Sequence, residues 1–162
     1  MKNRIGQGVD VHQLIAGTPL IIGGVSIPYS KGSKGHSDGD VLYHAIVDAI
    51  LGALALGDIG QYYPSDNKSW EDTPSRKFLK HAQYLMQEKG YTAVNIDATV
   101  ILQEPHLSSY ISEMRKNISH VLSISLDAVS VKATTTDSLG FTGTGVGIAA
   151  TAVALLTETD GN

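Results

Sequence analysis

The stretch HSDGDVLYHAIVDAILGALALG, residues 36–57, decides the fold, because two histidines and two aspartates within nine residues run directly into an apolar segment. The apolar residues predict a helix from about 38 to 56 that ends near Gly57 and is apolar almost all round. Ser37 is predicted to be its N-cap, with Asp40 three positions later as the acidic half of a capping box. Asp38 and Asp40 would then lie in the first turn and complement the helix dipole.

The segments around this helix predict a single α+β domain over residues 1–162. Alternation of apolar and polar residues is typical of strands, and apolar residues three or four apart are typical of helices. The expected architecture is a mixed β-sheet with helices packed on one side. The predicted strands are 5–11, two short strands within 19–28 broken by Gly23-Gly24, then 92–103 and 129–136. The apolar segment from 148 has a periodicity that allows a helix or a strand, and the tight turn before it favours a returning strand. Further helices are predicted at about 74–89 and 108–123, with a long polar loop at 60–74.

Composition excludes several classes of function. The formal net charge is −4 and no run of lysine or arginine occurs, so attraction to nucleic acid or an anionic membrane is a poor hypothesis. The chain has no cysteine, so a metal site must use histidine, carboxylate or backbone oxygen. The N-terminus lacks the apolar core of a signal peptide, and the apolar segments are too short to span a membrane. A soluble, cytoplasmic protein is expected.

Three residues are candidate metal ligands. Asp10 and His12 are two positions apart in a predicted strand, so their side chains share one face. Alone, this pattern is more typical of a hydrogen-bonded pair at a strand end, but His44 offers a third ligand from the helix. Two histidines and one carboxylate would leave one tetrahedral position open, as a catalytic zinc requires, although other divalent metals accept the same atoms. Asp48, one turn after His44, is placed to accept a hydrogen bond from its imidazole; a simple surface pair is the alternative.

Other residues suit phosphate chemistry. His36, beside the free N–H groups of a helix start, can donate to an anion. Asp58 follows the end of that helix, where its charge opposes the dipole, so it either binds ligand hydroxyls or is simply solvated. The threonines before Asp137 suit a strand, but with that carboxylate they also suit phosphate and magnesium. The glycine-rich stretch 140–147 lacks the lysine of a P-loop and a clear following helix, so it predicts neither a P-loop nor a dinucleotide site.

Five motifs in order carry a family resemblance: RIGQGVDVH, IIGGVSIPY, KGHSDGDVLYHAIVDAILGALALGDIGQYYP, VNIDATVILQ and VKATTTDSLGFTGTGVGIA. Together they resemble the 2-C-methyl-D-erythritol 2,4-cyclodiphosphate synthase family of the non-mevalonate isoprenoid pathway over nearly the whole chain. The resemblance implies conversion of 4-diphosphocytidyl-2-C-methyl-D-erythritol 2-phosphate to the cyclic diphosphate, with release of CMP. The rival hypotheses are a metal-dependent phosphohydrolase with the same ligands and a non-catalytic trimeric binding protein.

The resemblance also implies cofactors, assembly and site residues. Zinc, one per subunit, would be held by Asp10, His12 and His44, with Mg²⁺ or Mn²⁺ on the substrate diphosphate near Asp137. A homotrimer is implied, with its sheets around the three-fold axis and its active sites between subunits. His36 and Thr135 would align the phosphates. The implied substrate contacts are Asp10, His12, His36, Ser37, Asp58, Ile59, Gly60, Tyr63, Pro64, Ser65, Asp66 and Asn67; for the cytidine Leu102, Gln103, Glu104, Pro105, His106, Leu107, Ser108, Ala133, Thr134 and Thr135; and also Thr136, Asp137 and Phe141.

Three segments of the chain depart from the family pattern. Asp137 stands where the family usually has glutamate, which shortens the carboxylate's reach by one methylene. Residues 63–67 read Tyr-Pro-Ser-Asp-Asn, which differs from the usual loop. Thr144 and Val146 replace an arginine and a glutamate that the family associates with an isoprenoid diphosphate in the trimer's central cavity. Weak or absent binding of that anion is therefore predicted.

Overall fold

A five-stranded mixed sheet forms one layer of the fold in the computed structural model, which describes residues 2–35, 37–64, 70 and 73–159. The strands are β1 (Asn3–Ala16), β2 (Leu20–Ile22), β3 (Val25–Ile27), β4 (Lys31–Ser33), β5 (Tyr91–Ile101), β6 (Val129–Thr134) and β7 (Gly147–Glu158). The sheet order is β4-β1-β7-β5-β6, and β2 and β3 form a separate hairpin. Strands β5 and β6 are parallel, whereas the other neighbours in the sheet are antiparallel.

The helices form the second layer. They are α1 (Val41–Ala53), α2 (Ile59–Tyr62), α3 (Arg76–Glu88), α4 (Ile111–Leu122) and α5 (Gly140–Gly143), with a 3₁₀ turn at Leu126–Ala128. Helix α1 packs on β1 and β7, α3 packs on α1, and α4 packs on β6. The opposite face of the sheet leaves apolar side chains such as Ile5 and Val9 exposed. The predicted α+β class, with a mixed sheet and helices on one side, is confirmed.

Two glycines of β1 allow α1 to lie directly on the strand. A Cβ added at Gly8 would lie 1.9 Å from the carbonyl oxygen of Ala45, and one at Gly6 would lie 1.9 Å from that of Ala49. These distances are far below van der Waals contact, so no other residue fits without moving the helix. The close approach brings the side chain of His44 next to the strand that carries the other two predicted metal ligands.

The start of α1 differs from the prediction. Asp40, not Ser37, is the N-cap, and the helix begins at Val41. The carboxylate of Asp40 accepts hydrogen bonds from the backbone N–H groups of Tyr43 (3.1 Å), Gly23 (2.9 Å) and Gly24 (2.7 Å). Burial raises the pKa of Asp40 to about 6, against the pull of these backbone donors. The Asp40 carboxylate accepts three hydrogen bonds at once, two of them from the hairpin. The single oxygen of a serine side chain offers fewer acceptor sites and is closer to the backbone.

The all-round apolar surface of α1 is explained by packing within its own chain. Strands β1 and β7 and helix α3 enclose it. Every residue of α1 is buried except Asp48, which is half-buried, and Gly52, which is exposed. The apolar residues all round this helix therefore form the core of a single chain, and they do not indicate how chains assemble.

The longer predicted elements are present with shifted ends. The helices expected at about 74–89 and 108–123 are α3 and α4, and the returning strand is β7. The elements that were not predicted, β4, α2 and α5, have three or four residues each, too few for a periodic pattern. Within the described part of the chain, no helix is long and apolar enough to cross a membrane. The cytoplasmic location stays a prediction.

Candidate active site

Asp10, His12 and His44 meet at one point between β1 and α1. The Nε2 atom of His12 lies 2.8 Å from Oδ2 of Asp10, and Nδ1 of His44 lies 3.0 Å from the same oxygen. The two imidazole nitrogens are 3.3 Å apart. Tetrahedral zinc with bonds of about 2.0–2.1 Å separates its ligand atoms by roughly 3.3 Å. The structure thus brings the three predicted ligands together at nearly the spacing that one ion requires.

The outer partners of the two histidines assign their tautomers. The Nδ1 atom of His12 lies 3.1 Å from the carbonyl oxygen of Lys34, which only accepts, so Nδ1–H donates and Nε2 keeps its lone pair. The Nε2 atom of His44 lies 2.8 Å from Oγ of Ser75, whose own hydroxyl donates to Asp38. His44 therefore donates through Nε2–H and keeps a lone pair on Nδ1. Both free lone pairs face Asp10, which is the usual arrangement of metal-ligating histidines.

The electrostatics of the cluster favour a cation. Two imidazole lone pairs and a carboxylate oxygen repel one another unless a proton or a metal ion lies between them. Burial raises the pKa of Asp10, but hydrogen bonds and charge from His12 and His44 outweigh it and hold that pKa well below its usual range. Burial is the largest single effect on His12 and lowers its pKa, but the hydrogen bond and charge of Asp10, together with the hydrogen bond to the carbonyl of Lys34, outweigh it and raise that pKa. Two imidazoles and one carboxylate fit zinc or another divalent metal.

Asp48 does not orient His44, so that prediction is wrong. Its Oδ1 accepts a hydrogen bond from the backbone N–H of Ile59 at 2.7 Å, at the start of α2. The outer nitrogen of His44 is instead engaged by Ser75 and by Ser37, whose Oγ lies 3.3 Å away. Spacing along α1 suggested the Asp48 pair, but α3 supplies the partner from a distant part of the chain.

Asp58 is the N-cap of α2, a role that the sequence did not indicate. Its Oδ1 accepts a hydrogen bond from the backbone N–H of Gln61 at 3.0 Å. A negative charge at a helix N-terminus is favourable, so the argument from an opposing dipole at the end of α1 is wrong. The side chain is exposed, and its predicted contact with substrate stays a prediction.

A pocket of about 720 Å³ surrounds the Asp10–His12–His44 cluster. An aromatic group forms one wall, in which the ring centroid of Tyr63 lies 4.2 Å from that of Phe78 and 4.9 Å from that of Trp70. Sequence patterns assigned Phe78 to a buried helix face and Trp70 to a polar loop, so neither was predicted here. The pocket is lined by the predicted Asp10, His12, Ser37, His44, Ile59, Gly60, Tyr63 and Pro64, and also by Lys34, Gly35, Trp70 and Phe78.

A second pocket, of about 440 Å³, is lined by eight of the ten residues expected to bind cytidine, all except Gln103 and Glu104. It shares no lining residue with the pocket at the cluster. Of the remaining predicted residues, Gln103 accepts a hydrogen bond from the N–H of Ser138, Thr136 donates to the carbonyl of Leu139, and Asp137 and Phe141 are exposed. The second pocket is lined by Leu102, Pro105, His106, Leu107, Ser108, Ile111, Ala133, Thr134 and Thr135.

Four predicted site residues lie outside the described part of the chain. They are His36, expected to contact phosphate, and Ser65, Asp66 and Asn67 of the loop expected to cover the substrate. Their roles stay predictions.

The fold and the site together define a metal-binding α+β enzyme. The model of the YgbB family matches residues 3–157, so the chain belongs to that family. A Geobacillus kaustophilus (strain HTA426) protein named 2-C-methyl-D-erythritol 2,4-cyclodiphosphate synthase is 56% identical over 153 residues, 94% of this chain and 97% of that protein. The resemblance read from the motifs is confirmed, and the chain is a lyase of isoprenoid biosynthesis.

Solved structures have the same fold. The structure "IspF (Plasmodium falciparum) CDP complex" is similar with a TM-score of 0.86 and 39% identity, covering 98% of this chain and 97% of that one. The bifunctional IspDF from Campylobacter jejuni is similar with a TM-score of 0.95 and 41% identity over 98% of this chain. The chain spans 43% of the length of that bifunctional protein, so the match concerns one part of it.

Proposed function

We propose that the chain converts 4-diphosphocytidyl-2-C-methyl-D-erythritol 2-phosphate to 2-C-methyl-D-erythritol 2,4-cyclodiphosphate and CMP. The observation that carries this proposal is the convergence of Asp10, His12 and His44 in a pocket large enough for the sugar phosphates. The names of the relatives support it, as does the CDP bound to the Plasmodium falciparum structure. The second pocket, next to the ends of β5 and β6, would take the cytidine.

The reaction needs no nucleophile from the protein. An oxygen of the substrate's 2-phosphate attacks the β-phosphorus, the bond from that phosphorus to the bridging oxygen breaks, and CMP leaves with the electron pair. Zinc held by Asp10, His12 and His44, with Mg²⁺ or Mn²⁺ on the diphosphate, would neutralise phosphate charge. The protein's part is to position the two phosphates and exclude competing water, which can supply much of the rate enhancement.

Different residues would hold the phosphates, the second metal ion and the methylerythritol group. His36 and Thr135 would align the reacting phosphates by hydrogen bonds, and Asp137 would contact the second metal ion. The backbone of Ile59 and Gly60 would hold the methylerythritol together with Asp58. Ile59 and Gly60 line the pocket at the Asp10–His12–His44 cluster, whereas Thr135 lines the second pocket.

The distinct linings of the two pockets support active sites between subunits. One substrate molecule must contact both sets of residues, yet within one chain the pockets share no lining residue. A neighbouring copy would bring its second pocket to the metal cluster of this one. The exposed apolar side chains on the open face of the sheet, Ile5, Val9, Val11 and Val153, offer the contact surface for a homotrimer with its sheets around the three-fold axis.

The change Val9→Glu is expected to disperse the trimer. Val9 is 53% exposed, and a charge at a buried position between three sheets would carry a large desolvation penalty. Sedimentation analysis should give about three chain masses for the wild type and a smaller species for the variant. Leu126→Glu, a similar change on the helical layer, should leave assembly unchanged. A monomeric wild type, or a Val9→Glu protein that still forms trimers, would contradict this arrangement.

Product analysis tests the reaction itself. The purified protein is incubated with the substrate and divalent metal, and the products are identified by ³¹P NMR. The expected products are CMP and a cyclic diphosphate in equal amounts, because the attacking group is the substrate's own phosphate. A linear diphosphate would instead support a metal-dependent phosphohydrolase and refute the proposal.

A further inference from the structure

Ser75 occupies the N-cap position of α3 but does not cap that helix. Serine is favoured at such positions because its oxygen normally accepts a hydrogen bond from a backbone N–H two or three residues later. Here the side chain is 0% exposed, and Oγ lies 2.8 Å from Nε2 of His44. The hydroxyl is therefore engaged with a metal-ligand histidine that lies 31 residues earlier in the chain.

Asp38 holds Ser75 at two points. Its Oδ1 accepts from the hydroxyl of Ser75, and its Oδ2 accepts from the backbone N–H of Ser75 at 3.0 Å. Asp38 is itself held, since its N–H donates to the carbonyl of Thr73 at 3.3 Å and its Oδ1 also accepts from the N–H of Asp40 at 3.2 Å. These contacts hold the Asp38 carboxylate in the position from which it orients Ser75.

The direction of these hydrogen bonds follows from chemistry. An ionised carboxylate only accepts, so the single proton of the Ser75 hydroxyl is directed to Asp38. The oxygen of Ser75 can then only accept from His44, which requires a proton on Nε2. The same imidazole with its proton on Nδ1 would face the oxygen of Asp10 as a donor and could not bind a metal ion through that atom.

We propose that Ser75, oriented by Asp38, is the positioning residue that keeps His44 in the Nε2–H tautomer with Nδ1 directed at the metal. The inference rests on the proposed function and deepens it. It makes the metal affinity of the cluster depend on Ser75, the N-cap residue of α3. Asp38 acts on His44 through the hydroxyl of Ser75.

Metal binding of Ser75→Ala tests the inference. Zinc-stripped protein is titrated with Zn²⁺ against a chromophoric chelator, and the visible absorption of the Co²⁺-loaded protein is recorded. Loss of such an outer partner typically weakens metal binding by about 10- to 100-fold, so we expect that change and an altered Co²⁺ spectrum. The matched control is Ser119→Ala on α4, which removes a hydroxyl that donates to the carbonyl of Ile124 just after that helix. Zn²⁺ affinity and a Co²⁺ spectrum equal to those of the wild type in Ser75→Ala would overturn the inference.

A second measurement needs no variant. Nitrogen-15 NMR of the zinc-loaded wild type reports which nitrogen of His44 carries a proton and which one binds the metal. We expect the proton on Nε2 and the metal on Nδ1, and the reverse arrangement would overturn the inference even if Ser75→Ala did not fold. A wild type that binds zinc and forms the cyclic product while Ser75→Ala behaves identically would refute only the role of Ser75. A wild type without that product would refute the proposed function instead.

Discussion

Replacing His44 by alanine is expected to lower kcat/KM for CMP release by about a thousandfold or more. Asp10 and His12 would remain as an incomplete ligand pair on β1, and the metal's stabilisation of phosphate charge is worth several kcal/mol. A loss of about 4 kcal/mol in transition-state stabilisation corresponds to roughly a thousandfold in rate. The measurement is the initial rate of CMP release at several substrate concentrations.

The matched control for this change is His120→Ala. His120 is exposed near the end of α4, outside both pockets. Its removal should leave kcat/KM within about twofold of the wild type, because surface substitutions away from the core and from binding sites usually have little effect. A His44→Ala protein that retains kcat/KM within tenfold of the wild type would show that this histidine does not hold the catalytic metal.

The change Gly8→Ala is expected to destabilise the fold by about 3 kcal/mol. The added methyl carbon would lie 1.9 Å from the carbonyl oxygen of Ala45, and that backbone atom can retreat only if α1 moves away from β1. Movement of α1 would also draw His44 away from Asp10 and His12, so Zn²⁺ affinity should fall with stability. Urea unfolding followed by circular dichroism measures the first effect.

Gly52→Ala is the matched control because it makes the same substitution on the exposed side of α1. The nearest atom to an added Cβ there is the carbonyl oxygen of Gln7, at an ordinary contact distance of 3.8 Å. Alanine in place of glycine within a helix stabilises by up to about 1 kcal/mol. Equal unfolding free energies for Gly8→Ala and Gly52→Ala would mean that α1 does not lie on β1 as closely as described.

The long elements could be predicted because each repeats one periodicity over many residues. β5 alternates, and α3 and α4 bury a regular stripe, so only their ends shifted. The apolar periodicity of β7 is ambiguous between helix and strand, and the tight turn before it favoured the strand. The N-cap of α1 could not be predicted, because two of the three donors to Asp40 come from Gly23 and Gly24 of a distant hairpin. Local capping rules favoured Ser37, whereas tertiary contacts selected the carboxylate.

The metal ligands could also be predicted, but their surroundings could not. Asp10 and His12 share a face at the spacing of a strand, and His44 is an isolated polar residue in an apolar helix. Ser75 and Asp38 reach His44 only through the packing of α3 against α1, which no local pattern encodes. The spacing argument therefore selected Asp48, which is on the same helix but caps nothing at the cluster and bonds to Ile59 instead.

Elemental analysis of the purified protein shows whether Asp10, His12 and His44 bind one divalent metal ion, on which the proposed reaction depends. The wild type and His120→Ala should each contain about one zinc, or another divalent ion, per chain, as expected for a site with three protein ligands. His44→Ala purified in the same way should contain far less. Undiminished metal in His44→Ala would contradict the assignment of the site.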